Sequence, residues 1–198
     1  MVEIKTKQNT EYPNRKNLLT YDLDDQVEHA MLVSKLAYSV GKELGLDEQT
    51  CQALFDAGQV HDIGKEELAS YVSEGKDPLL VEEMKYVRMH SKKGYEILKE
   101  RQYSQFILES VLHHHENVDG SGYPDNLAGA DIPYGARVLR VCDAFSALIA
   151  NRPYRKAFDE NTAIELMIEE IKNFDIEIFL AFQRVVHEDK YKDVVFSK

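Results

Sequence analysis

The chain has 198 residues, 43% of them hydrophobic and 30% charged, with a formal net charge of -11 and a pI of about 5.1. That length suffices for one domain with a sizeable core, and the acidic balance excludes a general nucleic-acid surface, which needs a basic footprint, although not a small anionic substrate held by bound cations. No apolar run approaches the roughly 20 residues of a membrane span, the opening "MVEIKTKQNTEYPNRKN" lacks the apolar stretch of a signal peptide, and Cys51 and Cys142 read as buried thiols, so the expectation is a cytoplasmic protein with no membrane contact.

Residues 1–20 are polar and unpatterned and read as a tail or a short packing arm. From residue 21 to 198 the apolar period is helical. In "QVEHAMLVSKLAYSVGKELGL" Val27, Met31, Val33, Leu36, Ala37, Val40 and Leu44 recur at three-to-four spacing, and Gly45 suits the helix end. "DEQTCQALFDAGQVHDIGK" opens on Asp47 as N-cap and closes near Gly64. "PLLVEEMKYVRMH" opens after Asp77-Pro78 and ends at His90. "SQFILESVLHHHE" follows, then the turn-rich loop "NVDGSGYPDNLAGADIP". "YGARVLRVCDAFSALIA" is apolar on nearly all sides and is expected to cross the core. "NTAIELMIEEIKN" and "DIEIFLAFQRVV" complete the set. No segment alternates like a strand, and no repeat or linker divides the chain, so the expected fold is a single all-α domain.

The chemistry concentrates at helix ends. Three of the seven histidines are consecutive, His113 to His115, just ahead of a Gly-rich turn. His61-Asp62 closes an apolar helix, where an unpaired carboxylate is costly to bury, and Lys65 returns a cation to the same place. His29 lies mid-helix with Asp25 one turn before it. His90 sits at another helix boundary, and Asp143 is embedded in the apolar "RVCDAFSAL". Each residue alone reads first as a solvated or hydrogen-bonded side chain. Together they point to a polymetal site. Imidazoles mixed with carboxylates, without thiolates, suit Fe, Mn, Zn, Ni or Mg. Adjacent helical side chains point about 100° apart, so three neighbouring histidines cannot all face one cluster unless the helix breaks there. No G-x-S-x-G elbow, catalytic-cysteine context or P-loop is present.

"HDIGK", "MHSKKGYEIL", "HHENVDGSGYP", "ARVLRVCDAF" and "NRPYRKA", in this order over about residues 22–187, resemble the HD-GYP phosphodiesterases, which degrade the bacterial second messenger cyclic di-GMP. The resemblance implies an HD-type helical bundle, with residues 21–198 as the HD-GYP catalytic domain and a metal cluster in its core. It implies two or three divalent ions, Fe or Mn first, with Mg, Ni or Zn as alternatives. Asp62 bridges two of them; His61 and Asp143 hold one; His90, His114 and His115 hold the other; His29 belongs to the same cluster. Asp25 stands where three-metal members usually carry a Glu. His113 then falls outside the ligand set, and His187 is expected at the surface. Asp62 and Lys65 become the catalytic pair, with Lys65, Tyr123, Arg152 and Arg155 toward the substrate.

The chain departs from the family at several places. "EELA" follows "HDIGK" instead of Ile-Gly-Ile-Pro, Ser73 to Gly75 replaces a "KPG" turn, Ser146 replaces a frequent Asp, and Val118 replaces a common aromatic. None of these removes an implied metal ligand. Three functions stay open: a cyclic di-GMP phosphodiesterase giving linear pGpG or GMP, an HD hydrolase of another cyclic dinucleotide or nucleotide phosphoester, and a catalytically weak nucleotide-binding sensor. The implied partner is the cyclic dinucleotide; a homodimer or a signalling partner protein is left open.

Overall fold

The computed structural model describes residues 23–66, 87–151, 155–192 and 194. The expected N-terminal arm, most of the expected helix over 78–90, and Arg152 lie outside the described residues. Among the described residues there are seven α-helices: α1 Leu23–Glu43, α2 Glu48–Val60, α3 His90–Glu100, α4 Gln105–His113, α5 Tyr134–Ile149, α6 Glu160–Glu169 and α7 Ile176–His187. Short 3-10 turns at Gly129–Asp131 and Ile171–Asn173 precede α5 and α7, and the described residues form no strand.

Helix starts follow their caps. Asp47, Ser104, Asp159 and Asp175 each accept a backbone N–H from the first turn of α2, α4, α6 and α7. Helix α1 begins at Leu23, with Asp24 and Asp25 in its first turn, where the helix dipole favours acids. Gly45 follows it at φ +74, a left-handed conformation suited to glycine.

As expected, α5 crosses the centre. It packs against α1, α2, α4, α6 and α7, and Val138, Leu139, Val141, Cys142 and Phe145 are fully buried along it. Phe145 meets Phe182 of α7 edge-to-face at 5.0 Å between centroids, and Leu36, Val40, Leu54, Leu98 and Val111 complete the core from α1 to α4. Burial of such side chains is the main stabilising contribution, about 1.5–3 kcal/mol each. Both cysteines are buried and free.

His90, expected to end a helix, is instead the first residue of α3. Helix α3 turns His90, Ser91, Gly94 and Leu98 inward. Three of those four are polar or lack a side chain, so an apolar period could not reveal the helix. The arrangement puts one end of α2, α3 and α4 together: His61 caps α2, His90 opens α3, and His113 closes α4.

Candidate metal centre

The ends of α2, α3 and α4 deliver histidines to one point because they approach unusually closely. A Cβ on Gly64 would lie 2.0 Å from the His90 carbonyl oxygen, so only glycine lets the α2 exit pass over the start of α3. Helix α4 stops at His113, and His114 and His115 continue in a turn. That break lets two of the three consecutive histidines face inward together.

Two groups of ligand-type atoms result. Asp62, His90, His114 and His115 form one; His29, His61 and Asp143 form the other; within each group the atoms lie within 4.8 Å of one another. Asp62 stands between them. Its Oδ1 faces His90 Nε2 at 3.4 Å and His114 Nε2 at 4.0 Å. Its Oδ2 faces His61 Nε2 at 3.4 Å and His29 Nε2 at 4.0 Å. Asp143 Oδ1 closes the second group, 3.1 Å from His29 Nε2 and 3.7 Å from His61 Nε2. Lys65 Nζ donates to Asp62 Oδ2 at 2.5 Å.

The ring tautomers suit these groups to a cation. His61 Nδ1 donates to the Gly58 carbonyl and His114 Nδ1 to the Val111 carbonyl, both at 2.7 Å; His90 Nδ1 donates to the Val87 carbonyl. A carbonyl only accepts, so each Nδ1 carries the hydrogen, and the neutral rings of His90 and His114 turn a bare Nε2 lone pair inward. The His90 and His114 lone pairs converge at 3.2 Å between Nε2 atoms, and His115 Nε2 lies 3.1 Å from His90 Nε2. Two lone pairs do not hydrogen-bond to each other. A cation between them turns a repulsive contact into coordination, with the carbonyls orienting the rings from behind. His61 Nε2 and Asp62 Oδ1 are buried without a hydrogen-bond partner among the described residues. The donor set therefore fits a multi-metal site.

Burial pushes the His90, His114 and His115 pKa values down, that of His115 to about 3, so these rings are neutral and ready to ligate. Burial also opposes charge on His61, but the carboxylates of Asp62 and Asp143 outweigh it and lift His61 to about 10. For Asp62 and Asp143 burial works against ionisation, while the neighbouring imidazoles and, at Asp62, Lys65 hold both well below the usual carboxylate range.

Residues 13–178 match the HD domain family. The chain belongs to that family. Its relatives and its GYP motif put it in the HD-GYP branch. It is 35% identical over 159 residues, 80% of the chain, to a cyclic di-GMP phosphodiesterase of Pseudomonas aeruginosa. It is 38% identical over 67% of the chain to a cyclic di-GMP phosphodiesterase response regulator of Xanthomonas campestris, and 32% identical over 77% to a 3'3'-cGAMP-specific phosphodiesterase of Vibrio cholerae. The chain spans 38%, 35% and 36% of the lengths of these relatives. Among solved structures, an HDGYP protein from Bdellovibrio bacteriovorus superposes with a TM-score of 0.68 at 19% identity, over 85% of this chain and 55% of that one. The HD domain of the L. monocytogenes phosphodiesterase PgpH superposes with a TM-score of 0.60 at 20% identity, over 89% of this chain and 96% of that one. These two likenesses show the HD fold.

Around this HD centre the GYP loop folds back onto the histidines. Tyr123 N–H donates to the His115 carbonyl at 3.2 Å, and the Tyr123 ring stacks on His115 at 4.7 Å. A Cβ on Gly122 would meet Asn117 N at 2.3 Å and His115 O at 2.5 Å, which is what the tight return requires of that residue. Glu116 is buried and accepts the Asp125 N–H at 2.7 Å. His113 is buried but turned outward from the centre, held between the Glu109 carbonyl and Asp125 Oδ2, each at 3.2 Å. His187 is exposed.

Two expected residues are not gathered in. Asp25 is exposed on the first turn of α1 and joins neither ligand group; it lines a cleft of about 220 Å³ with His29, Ser146 and Asn151. The Arg155 guanidinium donates to the carbonyls of Ala147 and Leu148, both at 2.8 Å, and stacks over Phe158 at 4.5 Å, so it caps the C-terminus of α5. Orphan carbonyls at a helix end are ready acceptors for a cation, and the same side chain also lines a cleft with Arg140 and Phe174. Sequence reasoning passed over Arg88, whose guanidinium lies 5.3 Å from the Tyr123 ring centroid, and Arg140, whose charge bears on His115. Arg88 fell in a stretch read only for helix period, and Arg140 in a run read as apolar on all sides.

Proposed function

We propose that the chain is a metal-dependent phosphodiesterase of cyclic dinucleotides, with cyclic di-GMP as its substrate and linear pGpG, GMP or both as product. The observation that carries this reading is the division of the two Asp62 oxygens between two ligand groups, which suits a bridging carboxylate between a pair of ions. His90, His114 and His115 would hold one ion with Asp62, and His29, His61 and Asp143 the other. Fe and Mn are the first candidates, because nitrogen and oxygen donors without sulfur suit them. When bound, a divalent pair supplies Lewis acidity to the phosphodiester and lowers the pKa of the water that attacks phosphorus.

The chain's own groups do the rest. Asp62 and Asp143 bring negative charge that offsets the ions. Lys65, beside Asp62, presents its cation where negative charge grows on the non-bridging oxygens as the P–O bond to the ribose breaks. The Tyr123 phenol, raised above its ordinary value by burial, stays neutral and serves as a wall and hydrogen-bond donor rather than a base. The relatives named for cyclic di-GMP, at 35% and 38% identity, support this substrate. A second reading, 3'3'-cGAMP, has support from the V. cholerae relative at 32% identity.

The test is chromatography of cyclic di-GMP, 3'3'-cGAMP and cyclic di-AMP after incubation with protein reconstituted anaerobically with Mn or Fe(II), alongside metal counting. Fastest loss of cyclic di-GMP with a linear product is expected, at two ions per chain. Fastest loss of 3'3'-cGAMP moves the reading to the second substrate. Three ions per chain assigns the extra one to the cleft of Asp25 and His29. Tight binding of all three without turnover sinks the enzyme reading in favour of a sensor.

A further inference from the structure

Three arginines on or beside α5 differ in what their forks hold. Arg137 donates Nη1 to Asp175 at 2.5 Å and Nε to the Ile132 carbonyl at 3.1 Å. Arg155 caps the end of the helix. Arg140, one turn before Asp143, donates Nε to Asn117 Oδ1 at 2.9 Å, and its guanidinium lies 5.2 Å from the Phe174 ring centroid. Among the described residues its Nη1 and Nη2 have no acceptor. Burial lowers its pKa, so the charge is held in a partly desolvated place. Its Nη1 and Nη2 are not among the buried unpartnered atoms, so they open toward solvent and are free to donate to a ligand's acceptors.

Arg140 lines a cleft of about 510 Å³, a volume typical of small-molecule sites. One wall is the α5 face of Ala144, Ala147 and Leu148, with Arg155 beside it; Met167 and Phe174 form the other, and exposed Glu169 and Glu170 stand at the rim. The cleft and the metal centre share two chain segments, and the Arg140 charge bears on both Asp143 and His115. Asn117, which holds Arg140, follows His114 and His115 in the same loop, and Ala144 follows Asp143 on α5.

We propose that this cleft takes one purine base of the cyclic dinucleotide and that the Arg140 fork reads its acceptor edge, selecting guanine over adenine. The inference rests on the cyclic dinucleotide reading above. Guanine O6 and N7 are two parallel acceptors that match two guanidinium N–H groups, whereas adenine sets an amino donor against one of them. Flat purine faces suit the apolar walls and the Phe174 ring. A carboxylate at the rim, Glu169 or Glu170, is an acceptor for the guanine amino group, which adenine lacks at that edge.

The experiment is steady-state kinetics of metal-loaded wild type, R140A and R140M on cyclic di-GMP, cyclic di-AMP and bis(p-nitrophenyl) phosphate, a phosphodiester without a base. R140M keeps the aliphatic stem against Phe174, which guards against a folding defect. The expected result is a KM for cyclic di-GMP raised on the order of 10- to 100-fold in both variants, with kcat within a few-fold. Metal content, bis(p-nitrophenyl) phosphate turnover and the KM for cyclic di-AMP stay near wild type, so the preference for guanine collapses. A wild type active on cyclic di-GMP with an indifferent R140M overturns the assignment alone, as do equal losses on all three substrates. A wild type that cleaves bis(p-nitrophenyl) phosphate but no cyclic dinucleotide overturns the proposed function itself, and this assignment with it.

Discussion

Asp62 is 22% exposed, while the His61, His90 and His114 rings around it are fully buried, so the carboxylate between the two groups opens toward solvent. Asn at this position keeps the shape and loses the charge. D62N is expected to fall below one ion per chain and to lose more than about 100-fold in rate, read by elemental analysis and kinetics on the same preparation. Full metal and full rate in D62N would remove Asp62 from the bridge. Lys65 separates binding from chemistry. K65A is expected to keep its ions and lose about 100- to 1,000-fold in kcat, the size of effect seen when a donor to developing charge is removed. If K65A instead loses metal in proportion to activity, Lys65 supports the Asp62 geometry and not the transition state.

At the scale of elements, the centre is a meeting of helix ends, and Gly64 sets how closely two of them meet. G64A would drive a methyl group into the His90 carbonyl and also to within 2.7 Å of the Gly94 nitrogen, both backbone atoms that cannot swing aside. The α2 exit and the start of α3 must separate. The expected cost is about 1–3 kcal/mol of stability, together with a weakened metal site because Asp62 and His90 part. Thermal melts with and without Mn read both, and a G64A protein that melts like wild type and gains the same Mn stabilisation would show that the approach is looser than the packing implies. The same contact shows what was legible in the sequence. Apolar period and caps were enough for α1, α2 and α4 to α7, and the HD and GYP motifs for the residues gathered in the two groups of ligand-type atoms. Helix α3 was hidden because its inward face is His90, Ser91 and Gly94, residues placed there by the site and not by the core. The capping bonds of Arg155 were hidden for a related reason: they depend on where α5 stops, and the sequence marks no cap there.

For the whole molecule, the centre loads opposite protonation demands onto one core, and the metal-free protein should display both. Unfolded histidines titrate near 6.5. Burial holds native His90, His114 and His115 below that value. Below pH 6.5 the unfolded chain therefore binds protons that the native state refuses. Stability falls as pH falls, by up to about 1.4 kcal/mol per pH unit for each histidine concerned. His61 acts in the other direction. With a native value near 10, it keeps its proton between pH 6.5 and 10 while the unfolded chain releases its own, so stability falls as pH rises through that window. The two limbs predict a melting temperature that peaks near pH 6.5 in protein treated with a chelator. Divalent metal alters only one side of that curve in sign. Metal takes the neutral imidazole, so it displaces the His61 proton, and its stabilisation grows as pH rises. Melts in Mn are expected to climb from pH 6 to 8 where the chelated protein declines, with both falling below pH 6. A chelated protein with the same melting temperature at pH 5 and pH 7 would mean that the three imidazoles do not enter the folded core neutral, and the lone-pair argument for a cation between them would lose its footing.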